Sequence, residues 1–222
     1  TWYTSNPSAL SYAINTPEQL AGLAALVNNG TSDFSGKIIT LEENMILTGK
    51  QWIPIGTGSY CFGGTFDGGG KTINSVTITT TKDNQGFFGF IYGGVIRNIN
   101  LINTSIQGGP ITGGLVGRIF YGTVQNCSNS GSVSGDWGGT GGVVGRADYT
   151  TIQNCSNSGS ISGSRDVGGV SGRVLYGTIQ NCANSGAVSG ESYAGGVTGY
   201  VDASMMRNCI SSGSVSGNSY TG

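Results

Sequence analysis

Three arginines and three tyrosines recur at matched positions in the second half of this chain. Arg118, Arg146 and Arg173 are each followed, three residues on, by a tyrosine: Tyr121, Tyr149 and Tyr176. A guanidinium presents a planar fork of donors suited to carboxylates and other oxyanions, so arginine with tyrosine fits acidic sugars or peptide carboxylates. The competing reading is that a duplicated unit carries its arginine along, with the stems covering an apolar corner and the rings stacking. A second recognition candidate is a variable corner where Trp137, Tyr193 and Tyr220 stand beside Asp136 and Glu191, because loops on a rigid scaffold often carry recognition.

Catalytic constellations are scarce. There is no histidine, which removes Ser-His-Asp and Cys-His arrangements and histidine-rich zinc sites. Glu42 and Glu43 are adjacent and point to opposite faces of a strand. Asp67 lies in a glycine turn and reads as a turn former. Asp148 and Asp202 hold matching corners two turns apart, about 10 Å by the β spacing, near the separation used by inverting glycosidases. Leu175 holds the corner between them. The Gly-Gly pairs lack the GK(S/T) ending of a phosphate loop and read as strand starts. The reading is therefore no catalytic residue, no metal and no cofactor. A net charge of −1 leaves no electrostatic footprint for nucleic acid, and no apolar run is long enough for a membrane span.

What must position these residues is a unit of about 27 residues. Its clearest copy runs GGVSGRVLYGTIQNCANSGAVSGESYA from Gly168, with others from Gly113, Gly141 and Gly195, and it places cysteines at 127, 155, 182 and 209. A fixed period of this length means a stack of like turns. Each copy holds three β-prone runs separated by Gly, Asn and Ser clusters, in the third complete copy Gly169 to Val174, Thr178 to Cys182 and Ala187 to Ser189. The expected fold is an all-β, right-handed parallel β-helix of three-strand turns with an N-terminal capping helix. Inward columns are Leu115, Val143, Val170 and Val197; Val124, Ile152, Ile179 and Met206; and Val133, Ile161, Val188 and Val215. The neighbouring Val116, Val144, Ser171 and Thr198 are expected to face outward. Asn126, Asn154, Asn181 and Asn208 are expected to hydrogen-bond from turn to turn. The cysteines read as a core ladder of small hydrophobes. In-register neighbours about 4.8 Å apart disfavour a disulfide, and Cys127 to Cys209 spans roughly 14 Å, too far for one zinc ion. Cys61 lies outside the ladder.

Residues 1–15 give no periodic signal. Thr16, Pro17 and Gln19 form a capping box at the start of a helix over about 17–29, with Leu20, Leu23, Ala24 and Val27 on one stripe. This helix is expected to cap the stack, where open strand edges invite aggregation. The organisation reads as a cap over 1–36, irregular first β turns over 37–85 and regular repeats over 86–222, beginning with a degenerate copy at Gly86-Phe87-Phe88-Gly89. Residues 219–222 align with 192–195, where a further unit begins, so the array is expected to continue.

The pattern GG-(L/V)-V-G, G-T-(I/V)-Q-N-C, G-S-(V/I)-S-G resembles the GLUG repeat of large bacterial surface and secreted proteins, including relatives of immunoglobulin A peptidases. TPEQLAGLAALVNNG, WIPIG, GTFDGGGKTI and GFFG look like the leader that often precedes such repeats. The resemblance implies an extracellular or cell-surface, non-catalytic, adhesin-like module or stalk whose partner is a host or microbial glycan or surface protein. It implies no catalytic residues. The alternatives are a carbohydrate-active β-helix, a lyase or hydrolase, and a flat surface of repeated Ser and Thr such as Ser132, Ser134, Ser160 and Ser162, which Ala187 interrupts.

Overall fold

The computed structural model describes residues 2, 3 and 5–222. Apart from one helix, the described residues form short strands that pair in parallel, each with its counterpart about 27 residues away. The chain therefore winds as a parallel β-helix. One wall is an eight-stranded sheet from Ser11–Ile14 through Ile38–Leu41, Thr65–Asp67, Val95–Arg97, Thr123–Gln125, Thr151–Gln153 and Thr178–Gln180 to Met205–Arg207.

The turn has more walls than the three expected. Ser128–Asn129, Ser156–Asn157 and Ala183–Asn184 fall in segments whose composition predicts a corner, yet they pair in register as two-residue strands of a separate sheet. The strands typified by Val116–Phe120 and Ser132–Gly135 complete the circuit, in two further sheets. Short polar rungs are stable here because each borrows its hydrogen bonds from the turns on either side.

The three inward columns are buried as expected, from Leu115, Val124 and Val133 onward, except in the last turn, where Met206 is exposed and Val215 half-buried. Val116, Val144 and Ser171 are buried too, contrary to the outward placement expected from alternation. The cause is a bend at residues 114–115, 142–143 and 169–170, just before the strand begins. The carbonyl of Val143 accepts from both Leu115 N and Val116 N, and the carbonyls of Val170 and Val197 each accept from two successive amides in the same way. The bend breaks the strict alternation of a strand, so both neighbours can turn inward. The strand that follows the bend also packs closely. A Cβ at Gly145 would lie 2.7 Å from the carbonyl oxygen of Gly117 and 2.9 Å from Thr112 backbone atoms, so this position admits glycine only.

Asn126, Asn154, Asn181 and Asn208 form the expected ladder. Each Nδ2 donates to the Oδ1 of the preceding rung at 3.0 to 3.3 Å, and the row runs back through Asn98 to Asp67. Asp67 also accepts from Gly69 N at 2.9 Å, as a turn former should. Every asparagine in the row has φ between 53° and 58°, a region that asparagine tolerates better than most residues. A second ladder, of Asn129, Asn157 and Asn184, is buried. Asn129 Nδ2 donates to Asn157 Oδ1 at 3.0 Å, Asn157 Nδ2 to Asn184 Oδ1 at 2.9 Å, and each also bonds the backbone of the glycine two residues on.

All five cysteines are free, and Cys127, Cys155 and Cys182 are buried in the core. In the early turns the core is aromatic: Phe66 sits in register between Ile39 and Ile96, packed edge-on against Phe87 and Phe88.

Helix α1, Pro17–Asn28, carries the capping box on Thr16 and Gln19 and buries Leu20, Leu23, Ala24 and Val27. That stripe belongs to the same core as Ile14 and Ile39. Asn28 ties the helix end to the first turns, donating to Pro54 O at 2.9 Å and accepting from Gly56 N at 2.8 Å. Residues 11–14, which carry no periodic signal, form the first rung by pairing with Ile38–Leu41. No helix among the described residues is long and apolar enough to cross a membrane.

Candidate functional site: the arginine and tyrosine rows

Arg118, Arg146 and Arg173 pair in register on adjacent rungs, with Phe90 before them and Tyr200 after them in the same column. The sequence suggests unpartnered guanidiniums that repel one another; the structure supplies two buried carboxylates. Asp148, two residues after Arg146 on the same strand, accepts from Arg146 Nε and Nη2 at 3.0 Å. Arg118 Nε lies 3.5 Å from the same carboxylate. Asp166 comes from the last corner, and its oxygens lie 3.6 Å from Arg173 and 3.7 Å from Arg165. The ends of the row are closed by aromatic faces: Arg118 stands 4.6 Å from the Phe120 ring centroid, Arg173 4.7 Å from that of Tyr200, and Arg165 5.3 Å from that of Tyr193. Arg118, Arg146 and Arg173 keep only 24% to 31% of their side-chain surface exposed. The row is thus a packed charge network with an aromatic frame.

Burial lowers the Arg118 guanidinium from its ordinary value, with Arg146 adding to the effect and Asp148 opposing it. Burial raises the Asp166 carboxyl in spite of Arg173, Arg165 and Arg146. Asp202, the other acid considered for hydrolysis, is exposed and separated from Asp148 in register by Leu175. Among the described residues no cluster of three or more Cys, Asp or Glu has metal-binding geometry.

The tyrosines form a different surface. Tyr121, Tyr149 and Tyr176 remain 47% to 53% exposed, and their rings stack face to face with centroids 4.9 Å apart. Tyr92 closes one end, edge-on to Tyr121 at 5.7 Å. All three stacked residues have φ between 50° and 53°, whereas the matching corner of the preceding turn uses Gly93. A left-handed conformation costs a non-glycine residue about 1–2 kcal/mol, and ring stacking returns about 0.5–1.5 kcal/mol per pair. No hydrogen bond or cation–π contact links an arginine of the row to Tyr121, Tyr149 or Tyr176 among the described residues. The sequence places the two rows side by side, but they are separate features.

In the variable corner, Trp137 is exposed, and Tyr193 and Tyr220 stack at 4.7 Å. Sequence reasoning missed Asp166, Arg165 and the flanking Phe90 and Tyr200. One signal was available: Asp166 precedes Arg173 by seven residues, as Tyr193 precedes Tyr200, so both belong to one corner column.

The GLUG motif matches residues 108–134 and 138–162, within the regular turns. No curated protein matches the chain. Its fold is similar to the crystal structure of a "putative immunoglobulin A1 protease" from Bacteroides ovatus, with a TM-score of 0.74 and 24% identity over 93% of this chain and 67% of that one. This chain is a parallel β-helix that carries the GLUG motif.

Proposed function

We propose that the chain is a non-catalytic β-helical module of an exported bacterial protein, an adhesin-like binding or stalk segment that acts outside the cell or at its surface. The observation that supports this best is the disposition of its acids. Asp148 and Asp166 are buried against arginines, and Asp202 has no second carboxylate in the adjoining rung, where Leu175 stands. Polysaccharide hydrolysis needs two carboxyl groups flanking the scissile bond, and this wall offers no free pair, Asp202 standing alone. A rod hydrogen-bonded from rung to rung is suited to holding a surface at a fixed distance and orientation. The solvent-open part of that surface is the row of Tyr121, Tyr149 and Tyr176, which is where a host or microbial glycan or surface protein would be engaged. Arg118, Arg146 and Arg173 support the wall beside it.

Incubation with a polysaccharide panel, followed by assay for new reducing ends and unsaturated products, tests the non-catalytic part. Turnover would replace this reading with a carbohydrate-active one. A glycan and surface-protein array at low and physiological salt tests the binding part. Retention of a partner that is lost on Tyr149→Ala is the expected result, and no retention on either array leaves the stalk role.

A further inference from the structure

The tyrosine row lacks a rung. Its corner column reads Gly93, Tyr121, Tyr149, Tyr176 and Ala203, all at positive φ; from Gly93 to Tyr176 each amide donates to the residue just before the next member of the column. Face-to-face stacking covers both faces of Tyr149 and leaves ring edges toward solvent. One face of Tyr176 has no ring against it, because Ala203 puts a methyl group where the next ring would stand. A shallow, open depression of 510 Å³ runs along the row from Tyr149 to this rung, bordered by Thr151, Tyr176, Thr178, Ala203, Ser204 and Met205, and among the described residues that line it none is charged.

We propose that this vacant rung binds a neutral sugar ring. A ring laid on the free face of Tyr176 would stand level with Ala203, in the place of the missing side chain, since the column repeats at 4.9 Å where tyrosines fill it. A pyranose has an apolar C–H face for Tyr176 and equatorial hydroxyls for its surroundings. Thr151 and Thr178, in register on the adjoining wall, offer hydroxyls that both donate and accept. The absence of a bordering charge selects against acidic sugars, which would be desolvated without a counter-ion. The site deepens the binding reading above and rests on it.

Isothermal titration calorimetry of the 222-residue chain with cellohexaose, maltohexaose and mannohexaose tests the site. Saturable binding of at least one hexaose is expected, weakened about tenfold or more in Tyr176→Ala, which removes the stacking face. Ala203→Tyr should weaken it to the same extent while raising the melting temperature, because the new ring fills the slot and extends the stack. A purely structural row predicts the change in melting temperature and no change in affinity. Should Ala203→Tyr fold poorly, Tyr176→Ala alone decides the matter. The site is overturned if none of the three hexaoses binds, or if affinity is unchanged in the variants. The adhesin-like reading fails separately, through the arrays.

Discussion

Arg146 and Asp148, two residues apart on one strand, share a fork-to-fork contact in which Nε donates to Oδ2 and Nη2 to Oδ1, both at 3.0 Å. Residues i and i+2 of a strand lie on one face, so the pairing is built into the backbone. Arg118 reaches the same carboxylate from the turn before.

Replacing Asp148 by Leu, the residue at the matching position one turn on, should therefore strand two guanidiniums at once. The expected loss is about 1–3 kcal/mol, below that of a fully buried pair because the arginines retain some solvent. Adding Arg146→Phe, on the pattern of Phe90, should recover part of it. Urea denaturation measures both, and a single variant within about 0.5 kcal/mol of wild type would show that the network adds little.

Asp166 gives a pH signature. Burial raises its folded carboxyl above the unfolded value, so the native state holds that proton more tightly, and stability from this group is present at low pH and falls as pH rises between the two values. Asp166→Asn removes the titration. The stability of wild type minus that of the variant should thus be larger at about pH 3 than at about pH 7. A difference that grows with pH would mean that Arg173 and Arg165 outweigh desolvation.

The legible parts of this molecule were those with a period. Alignment of four copies exposes the columns of Leu115, Val124 and Val133 and the Asn126 ladder, because duplication repeats both side chain and environment. The burial of Val116 and Val144 was hidden, since the bend before them shows in the backbone and its hydrogen bonds, which residue types do not announce. Asn129, Asn157 and Asn184 were disguised by composition: Asn, Ser and Gly form turns in isolation, and only the stack makes strands of them. Asp166 was hidden by its corner, where the column reads Ile111, Gly139, Asp166 and Tyr193 before tyrosine repeats at Tyr220. Asp148 was visible as an acid, and its spacing from Arg146 could have been read as a pair.

The cysteine column predicts graded thiol reactivity. Cys155 and Cys182 are pushed up, first by hydrogen bonding with the neighbouring thiol (Cys127 and Cys155 respectively) and also by burial. Cys61 and Cys209 are raised chiefly by burial but are only half-buried. Because the thiolate is the reactive species, Ellman's reagent should modify Cys61 and Cys209 slowly and leave Cys127, Cys155 and Cys182 untouched until urea unfolds the chain. Detection of five thiols after unfolding is the expected total, and a shortfall of two would reveal a disulfide.

The two asparagine ladders should differ in what they contribute. Asn154, on the outer row, is exposed and sits at φ 53°, so its side-chain bonds compete with water while its backbone conformation suits glycine. Asn154→Gly keeps that conformation and is expected to cost under about 1 kcal/mol, whereas Asn154→Ala adds left-handed strain of about 1–2 kcal/mol. Asn157 is buried, donates to Gly159 O at 2.8 Å and Asn184 Oδ1 at 2.9 Å, and accepts from Asn129 at 3.0 Å. Removing it takes one side-chain hydrogen bond from each of its two buried neighbours, Asn129 and Asn184, so Asn157→Ala should cost more than Asn154→Gly, by roughly 1–3 kcal/mol. Hydrogen exchange offers a local check: the Gly159 amide, which bonds Asn157 Oδ1, should lose protection in Asn157→Ala and keep it in Asn154→Gly. Equal costs for the two substitutions would mean that water or a shifted rung replaces the inner ladder, and that stacking of the apolar columns alone holds the turns in register.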